Sequence, residues 1–250
     1  MNPQIKKITY KNRIQTGGTI MLGIIGAMEV EVKELREMME NPQAQTVAGM
    51  TFYQGTIKGK EVVVVRSGIG KVNAGICSQI LVDRYNVEGI INTGIAGSLK
   101  NEINIGDIVL ATVAVQHDVD ATGFGYPIGE IPQMGIKEFP ADEKLRVLAE
   151  KCSKEANPDI QVFCGRVASG DQFISSKDKK NWISENFDAY CTEMEGAAIA
   201  QAAYLNNIPY LVVRAISDKA DDSATMDYPA FEAKAVENSV RLMTAMLEAM

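Results

Sequence analysis

Residues 61–94 read EVVVVRSGIGKVNAGICSQILVDRYNVEGIINTG. The opening, EVVVVRS (61–67), is β-branched and apolar, which predicts a strand. Lys71 to Tyr85 then carries apolar residues at helical spacing. GIINTG (89–94) returns to an apolar strand. Between the first strand and the helix, GIGKVNAG (68–75) stops short of the phosphate-binding pattern G-x-x-x-x-G-K-[ST].

The alternation continues outward in both directions. MLGIIGA (21–27) reads as a strand, followed by a helix from Val30 to Met39. GDIVLATVAV (106–115), VFCGRVASG (162–170) and PYLVVRAIS (209–217) read as strands. Asp142 to Ala156 and the alanine-rich Met194 to Leu205 read as helices. A final helix is expected from Pro229 to the end, with Phe231, Ala235, Val236, Val240, Met243 and Leu247 on one face. Strands that are apolar on both faces and separated by helices predict a largely parallel or mixed sheet covered on both sides. No repeat or linker interrupts residues 21–250, so one α/β domain is expected there. In such sheets ligands gather at the carboxyl ends of the strands.

A chain of 250 residues with 46% hydrophobic content can bury a large core in one domain, or two at most. No apolar run approaches the roughly 20 residues that span a membrane. A net charge of -7 argues against nucleic-acid binding, which needs a basic face. A soluble, cytoplasmic protein is expected. Cys77, Cys152, Cys164 and Cys191 show no C-x-x-C pair, so neither a disulfide framework nor a zinc motif is expected. The lone His117 cannot build a histidine-rich metal site. Neither metal nor cofactor is expected. Residues 1–20 are basic and polar without a signal-peptide apolar stretch, and read as a disordered extension, with Met21 an alternative natural start.

Four motifs can carry chemistry. GIIGAMEVEV (23–32) runs from a glycine turn into a helix, yet lacks G-x-G-x-x-G. Glu29 and Glu31 already supply anions there, either to complement the helix dipole or to face a ligand. TEMEGAAIA (192–200) places Glu193 and Glu195 around Met194. This is either an acidic helix start or, if extended, one carboxylate toward a ligand and the other toward structure. SGDQFIS (169–175) offers a turn with core residues behind it, or an aromatic wall for a flat ring. VVRAISDKADD (212–222) sets Arg214, Ser217 and Asp218 at the mouth of a strand. Glu31, Glu195 and Asp218 thus end three strand regions, and Phe173 follows a fourth. A polar, acidic site with an aromatic wall suits an uncharged, hydroxylated, ring-bearing ligand: a nucleoside or a sugar.

Together with SGIGKVNAG (67–75), INTGIAG (91–97), GDIV (106–109) and HDVDATGFGY (117–126), these motifs resemble the 5'-methylthioadenosine/S-adenosylhomocysteine nucleosidases of the nucleoside phosphorylase family. The resemblance runs through residues 21–250 in order. It implies a single-domain, three-layer α/β/α fold with a central mixed sheet. It also implies a homodimer whose subunits share their active sites.

The implied reaction is hydrolysis of the N-glycosidic bond of methylthioadenosine and adenosylhomocysteine, and of 5'-deoxyadenosine. Asp218 resembles the acid that protonates N7 of adenine, and Glu31 the base that activates water. To act as acid near neutral pH, Asp218 needs a raised pKa, while Glu31 must stay ionised. Glu195 resembles the residue that holds the ribose hydroxyls, with Met194 against the sugar. Phe173 would stack on adenine and the Ile174 backbone read its edge. Ser217 and Arg214 look like supports for the carboxylates. Ala96 and Gly97 are placed on the substrate. Met28, Ile69 and Tyr228 would line the sugar and 5'-thioalkyl region, and Ala121, Phe124 and Tyr126 would reach in from the other subunit.

Ile95 and Ala121 depart from the family pattern, where serine and a bulkier residue are common, and this bears on fine substrate preference. Three alternatives stand beside this reading. They are a phosphorolytic purine nucleoside phosphorylase, a nucleosidase for aminodeoxyfutalosine, and a non-catalytic nucleoside-binding protein.

Overall fold

The structure, a computed structural model, describes residues 21–250. The expectation for residues 1–20 lies outside the described residues. In chain order the elements are β1 (Leu22–Gly26), α1 (Glu29–Glu37), β2 (Glu40–Val47), β3 (Met50–Ile57), β4 (Lys60–Arg66), α2 (Lys71–Tyr85), β5 (Gly89–Ser98) and β6 (Ile108–Gln116). After a 3-10 turn at Thr122–Phe124 come β7 (Glu138–Pro140), α3 (Glu143–Ala156), β8 (Val162–Ser169), α4 (Lys177–Phe187), β9 (Cys191–Glu193), α5 (Gly196–Asn206), β10 (Tyr210–Asp218) and α6 (Ala224–Ala249).

Four consecutive buried valines in β4 explain the layering. Val62 and Val64 point into a core shared with Val32 and Leu35 of α1, Ala149 of α3 and Val240 and Leu247 of α6. Val63 and Val65 point the other way, into a core shared with Ala74, Cys77 and Leu81 of α2 and Ala197 and Ala200 of α5. Alternate residues of a strand face opposite sides, so a strand apolar at every position needs helices on both sides. Each such valine contributes about 1.5–3 kcal/mol by burial. β10 repeats the pattern, with Leu211, Val213 and Ala215 on the first side and Tyr210, Val212 and Ile216 on the second. The result is the three-layer α/β/α arrangement around a mixed sheet.

The strand order is β10-β6-β8-β9-β5-β1-β4-β3-β2, and β10 also pairs with β5. That extra pairing closes β5, β10, β6, β8 and β9 into a ring at one end of the sheet. β4, β1, β5 and β10 run parallel, so their carboxyl ends open on one edge. There the register between β10 and β5 shifts between Ile216 and Asp218. Such a bulge re-aims the following side chains.

Some elements differ from the sequence expectation. β2 reads ENPQAQTV, lies mostly exposed at the end of the sheet order and has no apolar alternation to betray it. α5 begins at Gly196 rather than Met194, because β9 keeps residues 191–193 extended. α6 begins at Ala224, ahead of Pro229, which sits inside the helix near its start and lacks only the N–H it would have given one turn back. Phe231 is exposed, while Ala235, Val236, Val240, Met243 and Leu247 are buried as expected.

Candidate active site

At the end of β10, Asp218 is 2% exposed. Its Oδ1 accepts from the Ala220 N–H at 2.8 Å and its Oδ2 from the Ser217 hydroxyl at 2.9 Å. Burial raises the Asp218 carboxyl above the usual range, against the pull of these two hydrogen bonds, and the nearby Asp227 and Asp221 add to the rise. The approach of β5 is close: a Cβ at Gly97 would fall 2.6 Å from Asp218 Oδ1. Only glycine lets the carboxylate sit there.

Glu31 lies in the first turn of α1, also buried. Its Oε2 accepts from the N–H groups of Ala27 at 2.7 Å and Met28 at 2.9 Å, and its Oε1 from Ile95 at 3.1 Å. The carboxylate thus satisfies donors at its own helix start, which is the dipole-complementing role weighed from the sequence. Two carboxylate oxygens offer about four acceptor positions, so three N–H groups leave room for a water. Burial raises Glu31 as well, opposed first by the charge of Arg214 and then by the three N–H bonds. The sequence reading needs an ionised Glu31; burial works against that state, and Arg214 with the backbone works for it. A Cβ at Gly94 would fall 2.5 Å from Glu31 Oε1, so glycine is required here too.

Arg214 is the buried cation between these groups. It bonds the side chains of Glu193 and Asn92, donates to the Val213 carbonyl at 3.0 Å, and lies 3.9 Å from Glu195. Glu193 also takes the Ser169 hydroxyl and the Gly196 N–H, the latter at 2.8 Å. Glu195 accepts from the Gly70 N–H at 2.8 Å. Burial, and then the neighbouring Glu193 carboxylate, hold Glu195 well above the usual carboxylate range. Two roles for two neighbouring glutamates therefore follow from their partners. Glu193 is tied into structure, and Glu195 is held by one N–H at the mouth of α2. Arg214 supports Glu193 directly rather than Asp218, whose support is Ser217.

A narrow cleft runs between Gly97, Phe173, Ile174, Thr192, Met194 and Asp218. A second, wider opening is lined by Met28, Ser67, Gly68 and Ile69. Tyr228 links the two: its hydroxyl is 3.2 Å from the Met28 sulfur, and its ring stands edge-on to Phe173 with centroids 5.9 Å apart. Ala96 is buried behind the cleft, and its carbonyl accepts from Ser217 at 3.5 Å. Ala121, Phe124 and Tyr126 line neither opening of their own chain.

Residue types alone missed several contributors. Asn92 holds the Arg214 guanidinium, while Ser169 and the backbone N–H groups of Gly70 and Ile95 hold the carboxylates. Thr192 lines the cleft with a buried hydroxyl that has no hydrogen-bond partner among the described residues. None of these carries a signal in a single sequence beyond its place in a motif.

A closed ring of strands with carboxylates at its mouth has close counterparts. A family model described as the phosphorylase superfamily matches residues 21–248, and the chain belongs to that superfamily. Within it, the chain is 41% identical over 228 residues to the 5'-methylthioadenosine/S-adenosylhomocysteine nucleosidase of Bacillus thuringiensis, covering 91% of this chain and 98% of that one. The nucleosidase of Neisseria meningitidis in complex with methylthio-immucillin-A superposes with a TM-score of 0.88 at 35% identity, covering 92% of this chain and 99% of that one. The futalosine hydrolase of Helicobacter pylori superposes with the same TM-score of 0.88 at 33% identity, covering 93% and 99%.

Proposed function

We propose that this chain hydrolyses the N-glycosidic bond of 5'-methylthioadenosine and S-adenosylhomocysteine, and of 5'-deoxyadenosine, releasing adenine and the 5-substituted ribose. The observation that carries the reading is the buried acid Asp218, lining an aromatic-walled cleft on the same strand edge as Glu31. Asp218 gives its proton to N7 as the C1'–N9 bond breaks and the bond's electron pair passes to the base. Water bonds to C1' and loses its proton to Glu31. The two carboxyls then return to their starting states through solvent. A buried acid in this position contributes roughly 10²–10⁴-fold, and a base whose pKa is raised takes the proton from water more readily. Glu195 holds the ribose hydroxyls, Met194 packs on the sugar, and Met28, Ile69 and Tyr228 line the sugar and the 5' substituent. Phe173 and Ile174 take the adenine. The balance needs only water, with no metal or cofactor.

Residues 21–250 form the catalytic unit, and the chain works in the cytoplasm. Four free cysteines support that reading. Among the described residues no helix is long and apolar enough to cross a membrane. The active unit is a homodimer in which Ala121, Phe124 and Tyr126 complete the partner's site. Phe124 is 89% exposed, a large apolar area for a subunit to leave in water. Phe124→Ala is expected to raise KM by about 3–10-fold with little change in Tm. Light scattering that finds an active monomer would contradict the shared site.

Adenine release is expected at full rate in phosphate-free buffer. Asn92, where phosphorolytic relatives commonly carry arginine, is occupied by Arg214 and by the Ile25 carbonyl, 3.0 Å away. The Ile95 side chain is buried and apolar. Beside Glu31 and Ile95 a phosphate dianion would meet a carboxylate and an arginine, Arg214, already engaged by Glu193 and Asn92, which is strongly disfavoured. Phosphorus NMR should detect no sugar 1-phosphate even in added phosphate. Strict phosphate dependence would turn the assignment into a phosphorylase. The likeness to a futalosine hydrolase favours aminodeoxyfutalosine as the second candidate substrate. Values of kcat/KM measured side by side on the nucleosides decide between them.

A further inference from the structure

Arg66 ends β4 with its side chain exposed, directly after four buried valines. It makes no ion pair or hydrogen bond among the described residues. It lines the wider opening, about 480 Å³, together with Met28, Glu29, Ser67 and Ile69. That opening borders the reaction site, because Met28, which lines it, donates its backbone N–H to Glu31 at 2.9 Å. Glu29 pairs with Arg36 through Oε1, and no bond engages its other oxygen. One cavity therefore presents a free cation and a half-engaged carboxylate.

A methylthio group fills little of such a space and uses neither charge. An α-amino-acid end carries a carboxylate and an ammonium on one carbon. We propose that Arg66 and Glu29 form a subsite for the zwitterionic amino-acid end of the 5'-thio substituent, with Arg66 on the carboxylate and Glu29 on the ammonium. The assignment rests on the nucleosidase reading and on Met28 and Ile69 flanking the 5' position. It makes Arg66 a specificity-determining residue that separates S-adenosylhomocysteine from methylthioadenosine while leaving the chemistry alone. A guanidinium matches a carboxylate in a fork, so lysine should replace it only in part.

The test compares three nucleosides on wild type, R66M, R66K and R66E: methylthioadenosine, S-adenosylhomocysteine, and 5'-butylthioadenosine as a long neutral tail. Both charges are solvent-facing, so the effect is moderate and screened by salt. For R66M, kcat/KM on S-adenosylhomocysteine should fall about 3–5-fold at low ionic strength, through KM. R66E should fall further and R66K less. Values for the two neutral-tailed substrates should stay within about twofold. Equal losses on all three substrates would mean a structural role and overturn the subsite. So would an unchanged rate on S-adenosylhomocysteine in R66E. A wild type that releases no adenine from any of the three would instead overturn the nucleosidase reading, and the subsite with it.

Discussion

Asp218→Asn is expected to lower kcat by at least about 10²-fold with the fold intact. The substitution keeps the shape of the group. An asparagine Oδ1 can still accept from the Ala220 N–H, and its amide can donate to the Ser217 oxygen, which now accepts. What disappears is the transferable proton. Adenine then leaves as a poor anion, and the loss belongs in kcat rather than in KM. A near-normal kcat would remove Asp218 from the mechanism.

The same variant carries a stability signature. Burial raises Asp218 in the folded protein above the unfolded value of about 3.9. Below that pH both states hold the proton, and the carboxyl carries no ionisation penalty. As pH rises, the unfolded chain loses its proton first, so the wild type loses stability until the folded group also titrates. Asparagine has no proton to lose. The Tm of Asp218→Asn should therefore gain on that of the wild type from about pH 4 upward. A gap that shrinks with rising pH would mean that the carboxylate is stabilised, not strained, in its site.

How far the sequence could be read follows from where each signal resides. β4 and β10 announce themselves because both faces are apolar, and that fact alone implies helices on both sides. Ser217 and Asp218 are neighbours in the chain, so their hydrogen bond is within reach of local reasoning. Arg214 is different: Glu193 lies 21 residues away and Asn92 122 away, and only the closed ring of strands brings them together. Glu193 and Glu195 stand out as a pair, but their roles separate only when Arg214 and Gly70 choose between them. Ile95 shows the limit best. As a residue type it registers as a missing hydroxyl, whereas its backbone N–H holds Glu31. Backbone donors carry no residue signature, and neither does the register shift that aims Asp218.

Arg214→Met is expected to destabilise the protein by about 3–5 kcal/mol near neutral pH. Methionine is shorter but close in volume, so the loss is mainly electrostatic. Arg214 is 2% exposed, and its guanidinium faces Glu193 directly, Glu195 at 3.9 Å and Asn92. Its charge also opposes the rise that burial imposes on Glu31 and Glu195. Without it, these carboxyls shift further above their unfolded value of about 4.3. The sign of the pH dependence follows. At acid pH the carboxyls are protonated in both states, and the variant loses only hydrogen bonds. As pH rises past the unfolded value, ionisation favours the unfolded chain, and the deficit grows. Urea denaturation at about pH 4.5 and 7.5 should show the larger loss at the higher pH. Arg214→Lys should rescue little, because one ammonium cannot reach Glu193, Asn92 and the Val213 carbonyl together. A loss equal at both pH values would identify Arg214 as packing. No loss at all would show that the buried acids balance themselves, and Glu31 would then need another source of its charge.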